Sequence, residues 1–168
     1  MTRASRAAHD PLVDGEALEA FLERLTPDSC AFARAILARR PELARWLSRE
    51  EGEDGDHLLA RIPSPTGDEA RTLILWMESD EPSVAFGAWH THATVWAWNR
   101  EPVDQDAALV ALIDDILSDH IVLAVDEASP DWPAALDLRE PDALLDELTR
   151  PGGSGRVRLL SWTGSADR

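Results

Sequence analysis

The chain contains no lysine and no tyrosine, and it has one cysteine among its 168 residues. That single cysteine, Cys30, excludes an internal disulfide framework, which predicts a protein of the reducing cytoplasm. No apolar run approaches the roughly 20 residues of a membrane-spanning helix, so no membrane span is expected. The first ten residues carry charge but no apolar segment, which argues against a secretory signal.

Negative charge is the dominant feature of the composition, with a formal net charge of −16 at pH 7. Residues 1–50 hold eight acidic side chains and eight arginines, so residues 51–168 carry the whole excess. Such a field repels nucleic-acid phosphates and anionic membranes, and it attracts basic surfaces. We therefore expect no nucleic-acid or membrane partner and favour a basic protein partner, with the oligomeric state left open. The alternative is that the acidity only keeps the protein soluble.

Hydrophobic spacing predicts three parts: a mobile arm (residues 1–12), a helical segment (13–50) and an α+β sheet domain (57–163), with the last two forming one compact domain. Within the helical segment a helix is predicted to start with Thr26 as its N-cap and Pro27 at its first position. The charged, glycine-containing residues 50–56 mark the expected boundary between helices and sheet.

The sheet domain is predicted to run βββ-α-ββ-α-β. The expected strands are residues 58–62, 72–77, the segment from 84 to 98, 121–125, 132–138 and 157–162. The segment from 84 to 98 either runs as one long strand or folds back near Thr91. Two helices are expected in this domain. The first starts at Asp104, a residue type that is common at helix N-caps, and the second spans residues 141–149. Three successive strands favour hairpins. The predicted fold class is therefore α+β, with a mainly antiparallel sheet and helices on one face.

Residues 84–98 concentrate the chemistry of the chain, since they hold two of its five histidines and three of its seven tryptophans. In one continuous strand, alternation would place Val84, Phe86, His90 and His92 on the same face. Histidines two positions apart on a strand can both reach one metal ion, for which zinc or iron is the expected cofactor. The alternative is a half-buried strand whose imidazoles are structural and hydrogen-bonded.

A metal site needs more ligands in addition to His90 and His92. The nearby carboxylates are those of Glu78, Asp80, Glu81, Glu101, Asp104 and Asp106, and no spacing selects one of them. The chain has no H-E-x-x-H motif, no P-loop and no G-x-G-x-x-G. We therefore assign no catalytic residue and no cofactor outside this metal hypothesis, and we favour a non-enzymatic role.

The tryptophans fall into two groups. Trp46, Trp76 and Trp162 lie within apolar patterns and are expected in the core. The candidate binding residues are Trp89, Trp96, Trp98 and Trp132. An exposed tryptophan on an acidic surface is a typical interface anchor.

The stretch Val84-Ala85-Phe86-Gly87-Ala88-Trp89-His90-Thr91-His92, with the later Asp119-His120-Ile121-Val122-Leu123-Ala124-Val125, resembles small uncharacterised bacterial proteins of immunity-protein type. In these a strand of the form F-G-x-W-H-x-H precedes a helix and a short apolar strand. Ala93 stands where such relatives often carry an aromatic residue. The resemblance implies an inhibitor that binds a toxin, and it implies no catalytic residue. Together with the charge it predicts an acidic, non-catalytic binding protein; the alternative is a small metal-dependent enzyme using His90 and His92.

Overall fold

A computed structural model describes residues 15–78, 80–97, 104–140, 142, 145–146, 149, 153–154 and 156–167. The helices are α1 (Gly15–Leu22), α2 (Pro27–Arg39), α3 (Ala93–Ala97) and α4 (Gln105–Leu117), with 3₁₀ helices at Pro41–Trp46 and Glu69–Arg71. The strands are β1 (Leu47–Gly52), β2 (Gly55–Ile62), β3 (Leu73–Glu78), β4 (Glu81–Phe86), β5 (Trp89–His92), β6 (Ile121–Asp126), β7 (Ala134–Asp137) and β8 (Val157–Leu160). The predicted mobile arm, residues 1–12, lies outside the described residues.

The fold is mixed α+β and contains two antiparallel sheets. Strands β1 to β5 form a five-stranded sheet in sequence order, and the smaller sheet has the order β7-β6-β8. Short hairpins connect β1 to β2, β3 to β4 and β4 to β5, which antiparallel pairing permits. Strand β2 reaches β3 through residues 63–72, which include the 3₁₀ helix Glu69–Arg71. The sequence predicted one sheet; the structure has two, because β7 and β8 pair with the two edges of β6.

The large sheet has one buried face and one partly open face. The buried, inner face carries apolar side chains from successive strands, among them Leu58, Leu73, Leu75, Val84 and Phe86. These side chains share one hydrophobic cluster with residues of α1, α2 and α4. The alternation of buried and half-buried positions along β2 follows the two-residue period of a strand.

Helices α2 and α4 pack over this sheet. Helix α2 begins where the sequence predicted, since the Thr26 side chain accepts a hydrogen bond from Ser29 N and Pro27 stands at the first position. It buries Phe32 and Ile36 without measurable exposure. The Asp104 side chain caps α4 by accepting from Asp106 N. The two helices contact each other as well as the sheet, so the N-terminal helices and the sheet share a core.

The small sheet is built around β6, in which all six residues are buried. One face of β6, with Ile121 and Leu123, belongs to the main hydrophobic cluster. The other face, with Val122 and Ala124, forms a second cluster with Leu136 of β7 and Leu159 of β8. A strand that is apolar on both faces is typical of the centre of a sheet, and the sequence predicted this strand.

Residues 50–56 are not the boundary that the sequence predicted. They form the end of the β1–β2 hairpin, with Glu50 opposite His57 and Gly52 opposite Gly55. The expected helical segment, 13–50, therefore ends in a strand that starts at Leu47. Charged residues suit β1 because it lies at the edge of the sheet, where charge discourages pairing with another chain.

The segment from 84 to 98 does not form one strand. Its described part consists of the end of β4, a two-residue turn, β5 and the short helix α3. Gly87 makes the turn possible: it has φ of +59°, and a Cβ there would lie 2.7 Å from the carbonyl oxygen of Ala70. The helix predicted over 141–149 falls largely outside the described residues.

Candidate functional site

The β4–β5 hairpin reverses the expected placement of the histidines. In its register Val84 lies opposite Thr91, and Ala85 lies opposite His90. Residues that face each other across a ladder share a side of the sheet. His90 and His92 are therefore on the outer face, while Val84 and Phe86 are on the inner face. The turn at residues 87–88 shifts the alternation that a continuous strand would have kept.

His92 is fixed by three neighbours on this outer face. Its Nδ1 shares a hydrogen bond of 2.7 Å with Ser83 Oγ on β4. The His92 ring also meets the ring of Trp76 edge-on, with 6.5 Å between centroids, and that of His90 at 5.8 Å. His92 is half-buried and His90 is exposed. Trp76, which the sequence assigned to the core, is thus half-buried on the outer face.

Two of the carboxylates considered as further metal ligands, those of Glu81 and Asp104, accept hydrogen bonds from helix N-termini. Glu81 accepts hydrogen bonds from the hydroxyl and the backbone N–H of Thr94 at the start of α3. The Thr94 hydroxyl is the main reason that the pKa of Glu81 lies below its usual value. Asp104 caps α4. Burial, followed by repulsion from Asp104 and Asp28, raises the pKa of Asp106. Glu101 is outside the described residues.

Among the residues that the structure describes, no group of three or more His, Cys, Asp or Glu side chains is placed to hold a metal ion. Catalytic zinc sites use three protein ligands and structural sites use four. The described part of the chain supplies two imidazoles on the outer face, which is fewer ligands than a catalytic or a structural zinc site uses.

We expect purified, tag-free protein to contain less than about 0.1 equivalent of zinc or iron, because two imidazoles hold a divalent ion weakly. Elemental analysis of the wild type beside the His90→Ala/His92→Ala variant measures this. Near-stoichiometric metal in the wild type and none in the variant would contradict the expectation and establish the metal alternative.

Trp89 and Trp96 come together as a pair. Their rings meet edge-on, with centroids 6.0 Å apart, and both side chains are half-buried against the main hydrophobic cluster. This arrangement is typical of aromatic packing inside a protein. Trp98, the third tryptophan of the segment, lies outside the described residues.

Trp132 is the most exposed large hydrophobic side chain in the described part of the chain, at 80 % of its full exposure. It lies in the loop between β6 and β7, residues 127–133, which we call the Trp132 loop. Pro130 and Pro133 flank it. Trp132 N donates to the carbonyl of Ser129, and Ser129 N donates to the carbonyl of Asp126. These turns fix the backbone that carries the indole.

Asp126 anchors the base of the Trp132 loop, and the sequence did not single it out. Its side chain is 3 % exposed and accepts from Ala128 N at 2.8 Å. It also accepts from the backbone N–H and hydroxyl of Ser154, which precedes β8. A buried carboxylate with several donors holds the chain segments around it. The signal in the sequence was an aspartate ending an otherwise apolar strand.

No known protein family, curated protein or solved structure matches this chain. None of the helices in the described ranges has the length and apolar character needed to cross a bilayer. Within those ranges, the Trp132 loop is the surface that combines an exposed aromatic side chain with a fixed backbone.

Proposed function

We propose that this chain is an acidic, non-catalytic binding protein whose partner is a basic protein, and that Trp132 is the anchor of the interface. The observation that carries the proposal is the 80 % exposure of Trp132. Tryptophan is rarely left so open on a soluble protein, and it is enriched among the residues that dominate binding energy.

The fixed backbone of the Trp132 loop supports this role. An anchor held in one geometry loses little conformational entropy when a partner covers it. The hydrogen bonds of Asp126 to Ala128 and Ser154 supply that rigidity from below the loop. The two prolines limit the backbone further.

The charge around the loop favours a basic partner. Asp131, next to the anchor, is exposed and has no ion pair with any residue in the described ranges. Glu127 is 63 % exposed and meets Arg156 only at 3.7 Å, a separation at which a surface pair contributes little. These carboxylates belong to the part of the chain that carries the net charge of −16. They would steer a basic protein toward the loop.

The specific form of the proposal is an immunity-type inhibitor that masks a basic protein. The resemblance of residues 84–92 and 119–125 to proteins of that type supports it. In this arrangement Trp89 and Trp96 stabilise the β4–β5 hairpin and α3, rather than bind. The binding role of Trp98 stays a prediction.

The test starts from affinity capture. We expect the immobilised wild type to retain a basic protein from lysate of the source cells, and a Trp132→Ala column not to retain it. With the purified pair, raising NaCl from about 50 to about 500 mM should weaken binding at least about tenfold, because salt screens steering charges. Titration calorimetry measures the constants. Equal retention by both columns, or an affinity insensitive to salt, would contradict the proposal.

A further inference from the structure

A cleft of about 330 Å³ lies on a different part of the molecule from the Trp132 loop. Its walls come from the 3₁₀ helix Pro41–Trp46, the end of β2 with the three residues that follow it, the C-terminus of α4, and Trp162 after β8. Trp46 and Trp162 both line it, together with apolar side chains of Leu43, Ile62 and Leu117. Cavities of roughly 300–1,000 Å³ with aromatic walls and few polar groups are typical small-molecule sites.

The walls of the cleft are tied together. Ser64 Oγ, at the end of β2, donates a 2.6 Å hydrogen bond to the carbonyl of Trp162. The side chain of Arg40, on the opposite side, is held by Asp114 at 2.6 Å and by Ser118 at 3.3 Å. Because these contacts exist before any ligand arrives, little ordering is needed on binding.

Arg45 supplies a positive charge that is not neutralised by any residue in the described ranges. Its guanidinium lies over the ring of Trp46, 5.2 Å from the centroid, and the side chain is exposed. Of the other charged groups of the lining, Arg40 contacts Asp114 at 2.6 Å and Glu42 at 3.7 Å. A guanidinium stacked on an aromatic ring keeps its in-plane N–H groups available for a carboxylate.

The indole of Trp162 contributes apolar surface to the wall of the cleft. Its Nε1 is buried and has no hydrogen-bond acceptor among the described residues, so it offers no contact to a ligand in the cleft.

We propose that this cleft binds a small aromatic carboxylate. The ring of the ligand lies against Trp46 and Trp162, and its carboxylate meets the guanidinium of Arg45. The guanidinium of Arg45, stacked on Trp46 and without an ion pair in the described ranges, favours an anionic ligand over a cationic one at this cleft. The proposal is independent of the basic partner and of Trp132.

The probe for the test is 1-naphthaleneacetate, titrated into ¹⁵N-labelled full-length protein. We expect the indole N–H signals of Trp46 and Trp162, assigned with Trp→Phe variants, to shift with a dissociation constant of about 1 mM or tighter. That is the affinity of a ligand of this size at ordinary efficiency. Acetate alone should cause no shift, and the cationic 1-naphthylmethylamine should bind at least about tenfold more weakly.

Arg45→Gln is the matching variant, and its side chain is exposed, so the fold does not depend on it. It should weaken 1-naphthaleneacetate about tenfold and leave the neutral 1-naphthalenemethanol unchanged. Arg61→Gln, an exposed arginine on the outer face of the large sheet, is the control and should change neither. Unshifted Trp46 and Trp162 signals at 10 mM probe, equal binding of the amine, or an unaffected Arg45→Gln variant would each overturn the proposal.

Discussion

Replacing Trp132 with alanine is expected to weaken binding of the basic partner at least about 100-fold, a loss of about 2.7 kcal/mol. The indole is 80 % exposed in the free protein, so nearly all of its surface is available for burial against a partner. Burying a side chain of this size contributes more than any other single contact that the Trp132 loop offers. Titration of the purified pair measures the change.

The matched control is Val95→Ala. Val95 is also an exposed apolar side chain, at 62 %, but it lies on α3 and not in the Trp132 loop. Its truncation should leave affinity within about twofold, since scattered surface hydrophobics contribute little to a specific interface. If Trp132→Ala bound within threefold of the wild type, the anchor would have to lie elsewhere.

The stability of Trp132→Ala separates binding from folding. An exposed side chain makes few contacts whose loss destabilises the native state, so the free energy of unfolding should change by less than about 0.5 kcal/mol. Urea denaturation followed by far-ultraviolet circular dichroism measures this without relying on the deleted fluorophore. A folded variant that fails to bind assigns the loss to the interface.

The sequence predicted those elements whose signals are local. The start of α2 at Thr26 and Pro27 and the cap of α4 at Asp104 depend on hydrogen bonds within one turn, and the structure has both. Strand β6 was predicted from composition alone, because it is a short run of apolar residues. The class, mixed α+β with antiparallel strand pairing, followed from successive strands and is what the structure shows, although the strands form two sheets and not one.

The elements that the sequence did not predict depend on contacts between distant residues. Strand β1 covers the predicted end of the helical segment and the start of the charged boundary, and it is a strand because it pairs with β2 at the edge of the sheet. Two reasons favour glycine at position 87. The first is local, because the turn needs a positive φ. The second is not local, because the carbonyl oxygen of Ala70, seventeen positions earlier in the chain, leaves no room for a Cβ. Hydrophobic periodicity and secondary-structure propensity do not predict such contacts between distant residues.

The candidate sites divide in the same way. The sequence showed the clustering of His90 and His92. Their face depends on a turn at residues 87–88, whereas the sequence offered one strand or a turn near Thr91. Trp132 was a candidate binding residue at the start of a strand predicted over 132–138. The strand begins at Ala134 instead, and Trp132 is exposed in the loop before it. The cleft beside Arg45 was not predicted, because it joins residues 40–46 to residues 62–65, 117 and 162.

Replacing Asp126 with alanine is expected to lower the free energy of unfolding by about 3 kcal/mol. The variant removes a buried acceptor from Ala128 N and from the backbone and hydroxyl of Ser154, which join the Trp132 loop to the segment before β8. Urea denaturation measures the loss. Asp131→Ala is the control, because that carboxylate is exposed, and it should change stability by less than about 0.5 kcal/mol. Equal midpoints for the two variants would contradict the anchoring role.

The same variant tests whether a fixed loop matters for binding. Asp126→Ala keeps Trp132 but frees the backbone beneath it, so the partner must order the loop on binding. We expect about a tenfold loss of affinity under conditions where the variant is still folded, with Asp126→Asn in between, since an amide oxygen can accept only part of the hydrogen bonds. An Asp126→Ala variant that is destabilised yet binds as tightly as the wild type would show that Asp126 supports the small sheet alone. Affinity would then come from the exposed indole and the surrounding charge, without any contribution from the rigidity of the loop.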